Sequence, residues 1–280
     1  MINLFYITNN IIEAQVVDKL HVEWLFVDLE VIGKNARQKG RNTVISGHSI
    51  EDVKQLREVL KQTRIMVRCN PIGTWSKEEI DEINETYGID MVMLPYFKTI
   101  DEVKTFVELL DTSKLKPALL IETTQAIEHL EEILNVYPFE YVHIGLNDLH
   151  IERKTCFMFE PFVDGLLNKV VTILKEKRQK FGVGGIGKIG SALLPTPECL
   201  IREHIRIGSS GTILSRSFKG EFSEQFLEVF ESELADGIIK FRECEKNANK
   251  LDIDELEQNY RLMKSQINRV VNQTHDNKQI

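Results

Sequence analysis

Glu122 and Asp148 are the residues best placed by type and spacing to do chemistry. Each stands at the end of a short hydrophobic run, 117–122 and 140–145, and the two runs are consecutive. Parallel strands would bring both carboxylates over one rim. Such a pair suits Mg²⁺ or Mn²⁺, hard cations that take oxygen ligands, usually only one or two of them from protein carboxylates. The other positions stay open to water and substrate. The plainer alternative is a pair of strand-end acids bound to backbone amides or lysine. Around Asp148, Gly145-Leu146-Asn147-Asp148-Leu149 reads as a tight turn whose glycine lets backbone amides approach a ligand.

Arg68 closes a third hydrophobic run, 64–68. Burying an arginine there is costly without an anionic partner. It suits a substrate carboxylate or an oxygen that gains charge in a transition state, and also a structural ion pair with Glu30 or Glu122. Asp28 and Glu30 follow a fourth run, and alternation puts both on the inward face. Lys34, Arg37 and Gln38 then occupy a long polar loop, where solvated charge is the ordinary expectation. His48 precedes a helix and reads first as a capping or surface residue. His143 alternates with Val142 and Ile144 as a structural histidine, whereas His150, just beyond Asp148, is a candidate to act on substrate or metal.

Other chemistries find little support. Gly182–Gly187 matches GxGxxG after a strand, but the next segment carries Pro195 and Pro197 rather than a βαβ unit with a strand-end acid. Dinucleotide binding is rejected. Glycine loops at 182–187 and 208–212 suggest an anionic or phosphorylated substrate only weakly, with close backbone packing as the alternative. There is no GxSxG and no HExxH, and the four cysteines lack zinc spacing.

Short β-branched runs alternate with amphipathic stretches up to about residue 215. Strands are expected at 2–7, 24–28, 64–68, 90–94, 117–122, 140–145, 180–185 and 205–208. Helices are expected between them, two of them starting at Ser49 and at a Ser76–Glu79 capping box. Eight strands suit a (β/α)₈ TIM barrel, with an open doubly wound sheet as the rival. The polar residues cluster at several strand ends, where a barrel places its chemistry. Residues 1–220 are taken as the barrel. Residues 221–280 form a helical extension of net charge −5, out of −8 for the chain. Phe222, Phe226, Phe230, Leu234, Ile238 and Phe241 make one apolar stripe, and Leu256, Tyr260, Met263, Ile267 and Val270 a second. That surplus needs a surface, either on another subunit, which predicts a homo-oligomer, or across the barrel. The acidic balance of 43 acids against 35 bases implies no nucleic-acid or membrane partner. With no signal-peptide pattern or spanning run, a soluble cytoplasmic protein is expected.

Together these strand ends resemble the HpcH/HpaI aldolase/citrate lyase family of the phosphoenolpyruvate/pyruvate barrel superfamily. The resemblance covers about residues 22 to 215, through 26–30 (FVDLE), Val67-Arg68, 92–95 (VMLP), 120–123 (LIET) and 144–149 (IGLNDL). It implies that Glu122 and Asp148 hold the metal and that Arg68 meets the substrate. The amides of Gly145, Leu146, Asn147 and Asp148 would take the carboxylate of a pyruvate-type 2-keto acid. The implied activity is a carbon–carbon lyase or aldolase working through a metal-stabilised enolate, with no Schiff-base lysine. Glu30 would order Arg68 or a metal-bound water. Two departures stand out. Val31 replaces the histidine of aldolase members and the aspartate of citrate-lyase-like ones, and Tyr96 replaces the lysine of the latter. The general base therefore stays open among His48, His150 and metal-bound hydroxide. The alternatives are an acyl-CoA lyase of citrate lyase β type and a non-catalytic barrel that binds metal and keto acid.

Overall fold

Seven of the eight expected strands form where their hydrophobic runs lie. The computed structural model describes residues 1–34 and 47–276. Arg37 and Gln38 lie outside the described residues. The strands are β1 (Asn3–Ile7), β2 (Trp24–Asp28), β3 (Arg64–Arg68), β4 (Met91–Leu94), β5 (Lys116–Ile121), β6 (Tyr141–Ile144), β7 (Phe181–Ile186) and β8 (Gly211–Leu214). All neighbours pair in parallel and β1 closes on β8, so the barrel is complete. The helices that matter below are α1 (Ile11–Lys19), α2 (Ile50–Val59), α3 (Ser76–Glu85), α4 (Ile100–Leu109), α5 (Thr124–Glu128), α6 (Leu130–Ile133) and α7 (Leu146–Arg153). They continue with α8 (Leu166–Glu176), α9 (Pro197–Ile207), α10 (Arg216–Lys219), α11 (Leu227–Ala248) and α12 (Ile253–Asp276). The expected α/β TIM barrel is the fold observed.

The eighth strand is a correction. Residues 205–208 end α9, whose buried Leu200, Ile201, His204 and Ile207 recur at helical spacing. Thr196 caps its start by accepting from the Cys199 amide, and Gly208 ends it at φ 75°. The strand lies at Gly211–Leu214, so the 208–212 glycines enter β8 from the amino end of the barrel. They do not make a loop at its carboxyl rim, and the phosphate reading of that loop falls.

The other glycine run, 182–187, lies in β7 except for Gly187 just past its end. A Cβ on Gly182 would fall 1.8 Å from the Tyr141 hydroxyl and 2.4 Å from the Gly211 carbonyl oxygen. Close packing therefore requires glycine there. The capping box at Ser76 is also corrected. Trp75 precedes the helix, Ser76 accepts from the Gly73 amide, and Glu79 accepts from the backbone and side chain of Asn70. At Ser49, by contrast, the cap forms, reciprocated by Asp52.

The barrel interior is filled by Phe5, Trp24, Phe26, Met66, Met91, Met93, Ala118, Leu120 and Tyr141. A larger cluster joins the outward strand faces to the helices. The tail folds back on the same chain. Phe230, Leu234, Ile238 and Phe241 of α11 and Met263 and Ile267 of α12 are buried, and both helices pack on α9. Phe226 stays 64% exposed, so the buried stripe starts at Phe230. Beneath β1, Glu245 accepts from the Ile2 amide, and Arg242 donates to the Ile2 carbonyl at 2.7 Å and to Glu23 at 2.6 Å. Glu23 in turn accepts from the Leu4 amide. No helix among the described residues is long and apolar enough to cross a membrane.

Gly182→Ala should cost at least about 1–3 kcal/mol, the usual penalty for overpacking. Urea unfolding monitored by circular dichroism reads the loss, and a midpoint equal to wild type would contradict the packing role.

Candidate active site

Alternation along the strands builds the carboxyl rim. Phe26, Met66 and Leu120 fill the interior, so the residues two positions on, Asp28, Arg68 and Glu122, also point inward, one layer higher. They line a cavity of about 720 Å³ together with His48, Gly145, Leu146, Asn147 and Asp148. Its floor is Leu120, Ile213, His143 and the Gly184–Gly185 step of β7.

Arg68 is held from two sides. Its Nε and Nη2 each donate to one Asp28 oxygen at 2.8 Å, and Nη1 lies 3.3 Å from Glu30. The guanidinium sits over the Phe26 ring at 5.4 Å and its side chain is 12% exposed. Such a two-pronged pair fixes orientation as well as charge. Lys34 adds a second cation, 2.7 Å from Asp28 and 3.7 Å from Glu30. It is buried, so the expectation of a solvated loop lysine is corrected. Burial alone would raise the Asp28 carboxyl, but Arg68 and then Lys34 outweigh it and hold it well below the usual range. Burial disfavours the Arg68 charge, yet Asp28 and Glu30 push its pKa upward. Glu30 lies 3.3 Å from Arg68 Nη1, and Asp28, which shares the inward face, makes the two shorter contacts.

Glu122 and Asp148 are both buried and both face the cavity. Glu122 lies against Gly145, where a Cβ would come within 2.6 Å of its Cγ. The segment read as a tight turn is the start of α7, with Gly145 at its cap and Asp148 in its first turn. First-turn amides have no partner within a helix and favour anions. Oxygen donors alone, two carboxylates beside a cradle that requires glycine, fit a hard divalent cation. Among the described residues no group of three or more His, Cys, Asp or Glu is arranged to hold a metal, so water and substrate would complete such a site.

The histidines separate. His143 is buried beneath the cavity, receives the Tyr141 hydroxyl on Nδ1 at 2.9 Å and bonds the Gly184 carbonyl through Nε2 at 3.0 Å. Burial pushes its pKa down to about 3, so it is a neutral, satisfied structural residue. His48 lines the cavity, and its Nδ1 accepts from the Asp28 amide at 3.0 Å. That bond places the ring proton on Nε2 and burial lowers the pKa, so His48 presents a donor and not a base. His150, two positions beyond Asp148, has turned about 200° around the helix, bonds Thr155 at 2.7 Å and is not among the residues lining the cavity. Neither Val31 nor Tyr96 lines it either.

The residues singled out from sequence miss the far wall. Thr8, Asn9, Asn10 and Glu13 come just after β1, and Ser215, Arg216 and Lys219 just after β8. Their signal is the polar cluster just past β1 and the basic pair just past GTIL.

A model of the HpcH/HpaI aldolase/citrate lyase family matches residues 2–156, a span that contains Arg68, Glu122 and Asp148, and the chain belongs to that family. Many solved structures are similar, among them the following three. The HpcH/HpaI aldolase from Desulfitobacterium hafniense DCB-2 has TM-score 0.59 and 13% identity over 86% of this chain and 92% of that one. An HpcH/HpaI aldolase/citrate lyase family protein from Burkholderia cenocepacia J2315 has TM-score 0.58 and 14% identity, over 84% and 94%. Citrate synthase SbnG has TM-score 0.57 and 12% identity, over 85% and 92%. At these identities the likeness carries the fold alone. No curated protein matches the chain.

Unfolded, the Asp28 carboxyl titrates near about 3.9. Its native pKa is lower, so its contribution to stability is complete above that pH and is lost as pH falls below it. Asp28→Asn should cost about 3–5 kcal/mol at pH 7, since it breaks a buried ion pair and leaves both Arg68 and Lys34 to Glu30 alone, and should flatten the acid limb below about pH 4. Urea unfolding across a pH series measures both. An unchanged acid limb would contradict the pairing.

Proposed function

We propose that this chain is a divalent-metal-dependent carbon–carbon lyase of the aldolase type, acting on a pyruvate-type 2-keto acid through an enolate. What supports the reading most is Arg68, a guanidinium locked by Asp28 and Glu30 over the same cavity that Glu122 and Asp148 line. An arginine so held does not need to reorganise when negative charge develops beside it.

Glu122 and Asp148 would hold Mg²⁺ or Mn²⁺, which when bound polarises a keto oxygen and offsets charge on it. The first-turn amides of α7 orient the acid's carboxylate. Arg68 faces the enolate oxygen, and His48 offers its Nε2 proton to an oxygen of the substrate. In cleavage the C3–C4 bond breaks, its electron pair forms the enolate, and the C4 hydroxyl becomes an aldehyde. Overall, the proton lost from that hydroxyl is matched by one gained at C3.

Proton NMR of pyruvate in D₂O with Mg²⁺ or Mn²⁺ tests this. The methyl signal should decay with protein, persist with EDTA, and decay at least about a hundredfold more slowly with Arg68→Ala, the scale of one lost charge-stabilising donor. Asp148→Ala should keep the circular dichroism spectrum and lose metal in calorimetry. Unchanged metal affinity in that variant sinks the ligand assignment. Absence of exchange with metal bound favours a thioester lyase or a binding protein instead.

A further inference from the structure

Two residues beyond Arg68, Asn70 has its whole side-chain amide engaged. Its Oδ1 accepts from the Val31 amide at 2.9 Å and from the Ile32 amide at 2.8 Å. Its Nδ2 donates to the Leu29 carbonyl at 3.2 Å and to Glu79 Oε1 at 2.8 Å. The backbone amide of Asn70 donates to the same Glu79 oxygen at 2.9 Å. An asparagine side chain offers two acceptor positions and two donor hydrogens. All of them are used here, in a residue only 8% exposed. Neither Asn70 nor Glu79 is among the residues lining the cavity.

These bonds converge on one stretch of backbone. β2 ends at Asp28, and Asn70 supplies side-chain bonds where the strand ladder stops. Leu29 donates its amide to the Arg68 carbonyl at 3.0 Å, and Glu30 donates its own to Asp28 at 3.2 Å. With Val31 and Ile32 held by Asn70, every amide from 29 to 32 is engaged. Glu30 lies in the middle of that stretch, buried, with its carboxylate 3.3 Å from Arg68 Nη1. Lys34 follows, 2.7 Å from Asp28. Glu79, in the first turn of α3, braces Asn70 from the opposite side. Alanine at 70 would lose all four side-chain bonds, and aspartate would set a second carboxylate against Glu79.

We propose that Asn70, braced by Glu79, is a positioning residue for Arg68. It fixes residues 29–32, and so sets Glu30 and Lys34 against the guanidinium, without touching substrate itself. Its consequence for the chemistry rests on the lyase reading, whereas its hold on Arg68 does not.

Two measurements separate the two ideas. In the first, ¹⁵N NMR of the full chain follows hydrogen exchange at the arginine side chains. The Arg68 Nε–H signal is identified by its loss in Arg68→Lys, and Arg206, whose Nε donates to Glu203 at 2.8 Å, is the control. Asn70→Ala should speed exchange at Arg68 at least about tenfold, the weight of one or two lost hydrogen bonds, and leave Arg206 unchanged. Glu79→Ala should act in the same direction, and Glu79→Gln, which keeps an acceptor oxygen, should restore the protection. Equal acceleration at both arginines means general loosening and overturns the proposal. No change at Arg68 in either alanine variant overturns it too. The second measurement is a double-mutant cycle on the decay of the pyruvate methyl signal in D₂O. Asn70→Ala should slow that decay about tenfold with Arg68 present and less than about twofold in an Arg68→Ala background. Calorimetry should show unchanged Mg²⁺ affinity. Equal slowing in both backgrounds, or a matching loss of Mg²⁺ affinity, overturns the positioning role. No exchange by wild type, with Arg68 still responding to Asn70→Ala, overturns the lyase reading and spares the positioning role.

Discussion

A permanently charged guanidinium at the top of an aromatic barrel core is the constraint around which the rim is organised. Arg68 stands one layer above Phe26 and Met66, where water is scarce and an unpaired charge costs several kcal/mol. Asp28 meets two of its nitrogens and Glu30 the third, and Lys34 rebalances the surplus acid. The four side chains are neutral as a set. Buried ion groups of this kind are weak sources of net stability, since well-packed apolar residues often do as well. What the network provides is orientation, a guanidinium whose direction is set before any ligand arrives.

The same two-residue period that buries the core also determines what can stand above it. Each strand contributes one inward position at the rim, and five of these are Asp28, Arg68, Glu122, Gly145 and Ser215. Small residues there are as consequential as charged ones. Gly145 leaves room for Glu122 to lie flat, and Gly184 leaves room for Leu146 at the start of α7, where a Cβ would come within 2.6 Å of Leu146. Packing beneath and beside the acids therefore determines where they can point, before any question of affinity.

Much of this is legible in the sequence, because the strands are buried on both faces and read as continuous apolar runs. β2 and β3 fall at the expected residues, and each delivers a polar side chain at its carboxyl end. The failures around β8 share one physical origin. Ile205 and Ile207 alternate like a strand, but the residues before them repeat at helical spacing, and the longer pattern wins. β8 is only four residues and starts with glycine, so it gives little signal. Placing it six residues too early turns Arg216 and Lys219 into remote loop residues and hides the far wall of the cavity. Lys34 escapes a local reading for a different reason. Its burial depends on Asp28 and Glu30 meeting Arg68, a long-range arrangement that no local window contains.

The tail and the rim are connected through β1. At its amino end the strand is clamped by Arg242 and Glu245 of α11, which hold the backbone of Ile2, and by Glu23, which holds Leu4. At its carboxyl end Lys219 holds the Ile7 carbonyl, and Thr8 to Asn10 begin the cavity wall. β1 also forms the seam where the barrel closes on β8. Of the two helices beyond residue 226, α11 thus acts directly on the strand that closes the barrel against β8. The apolar stripes of both helices are covered by α9 of the same chain, and α11 in addition holds the seam through Ile2. The part of the chain that lies beyond the family match, from residue 157 onward, carries both β8 and the clamp beneath its neighbour. Arg68, Glu122 and Asp148 lie within the matched span, while the far wall is shared between Thr8 to Glu13 inside that span and Ser215, Arg216 and Lys219 beyond it. The last strand and α11 thus bear on one wall of the cavity from outside the matched span, through the backbone of β1 and the residues that follow β8.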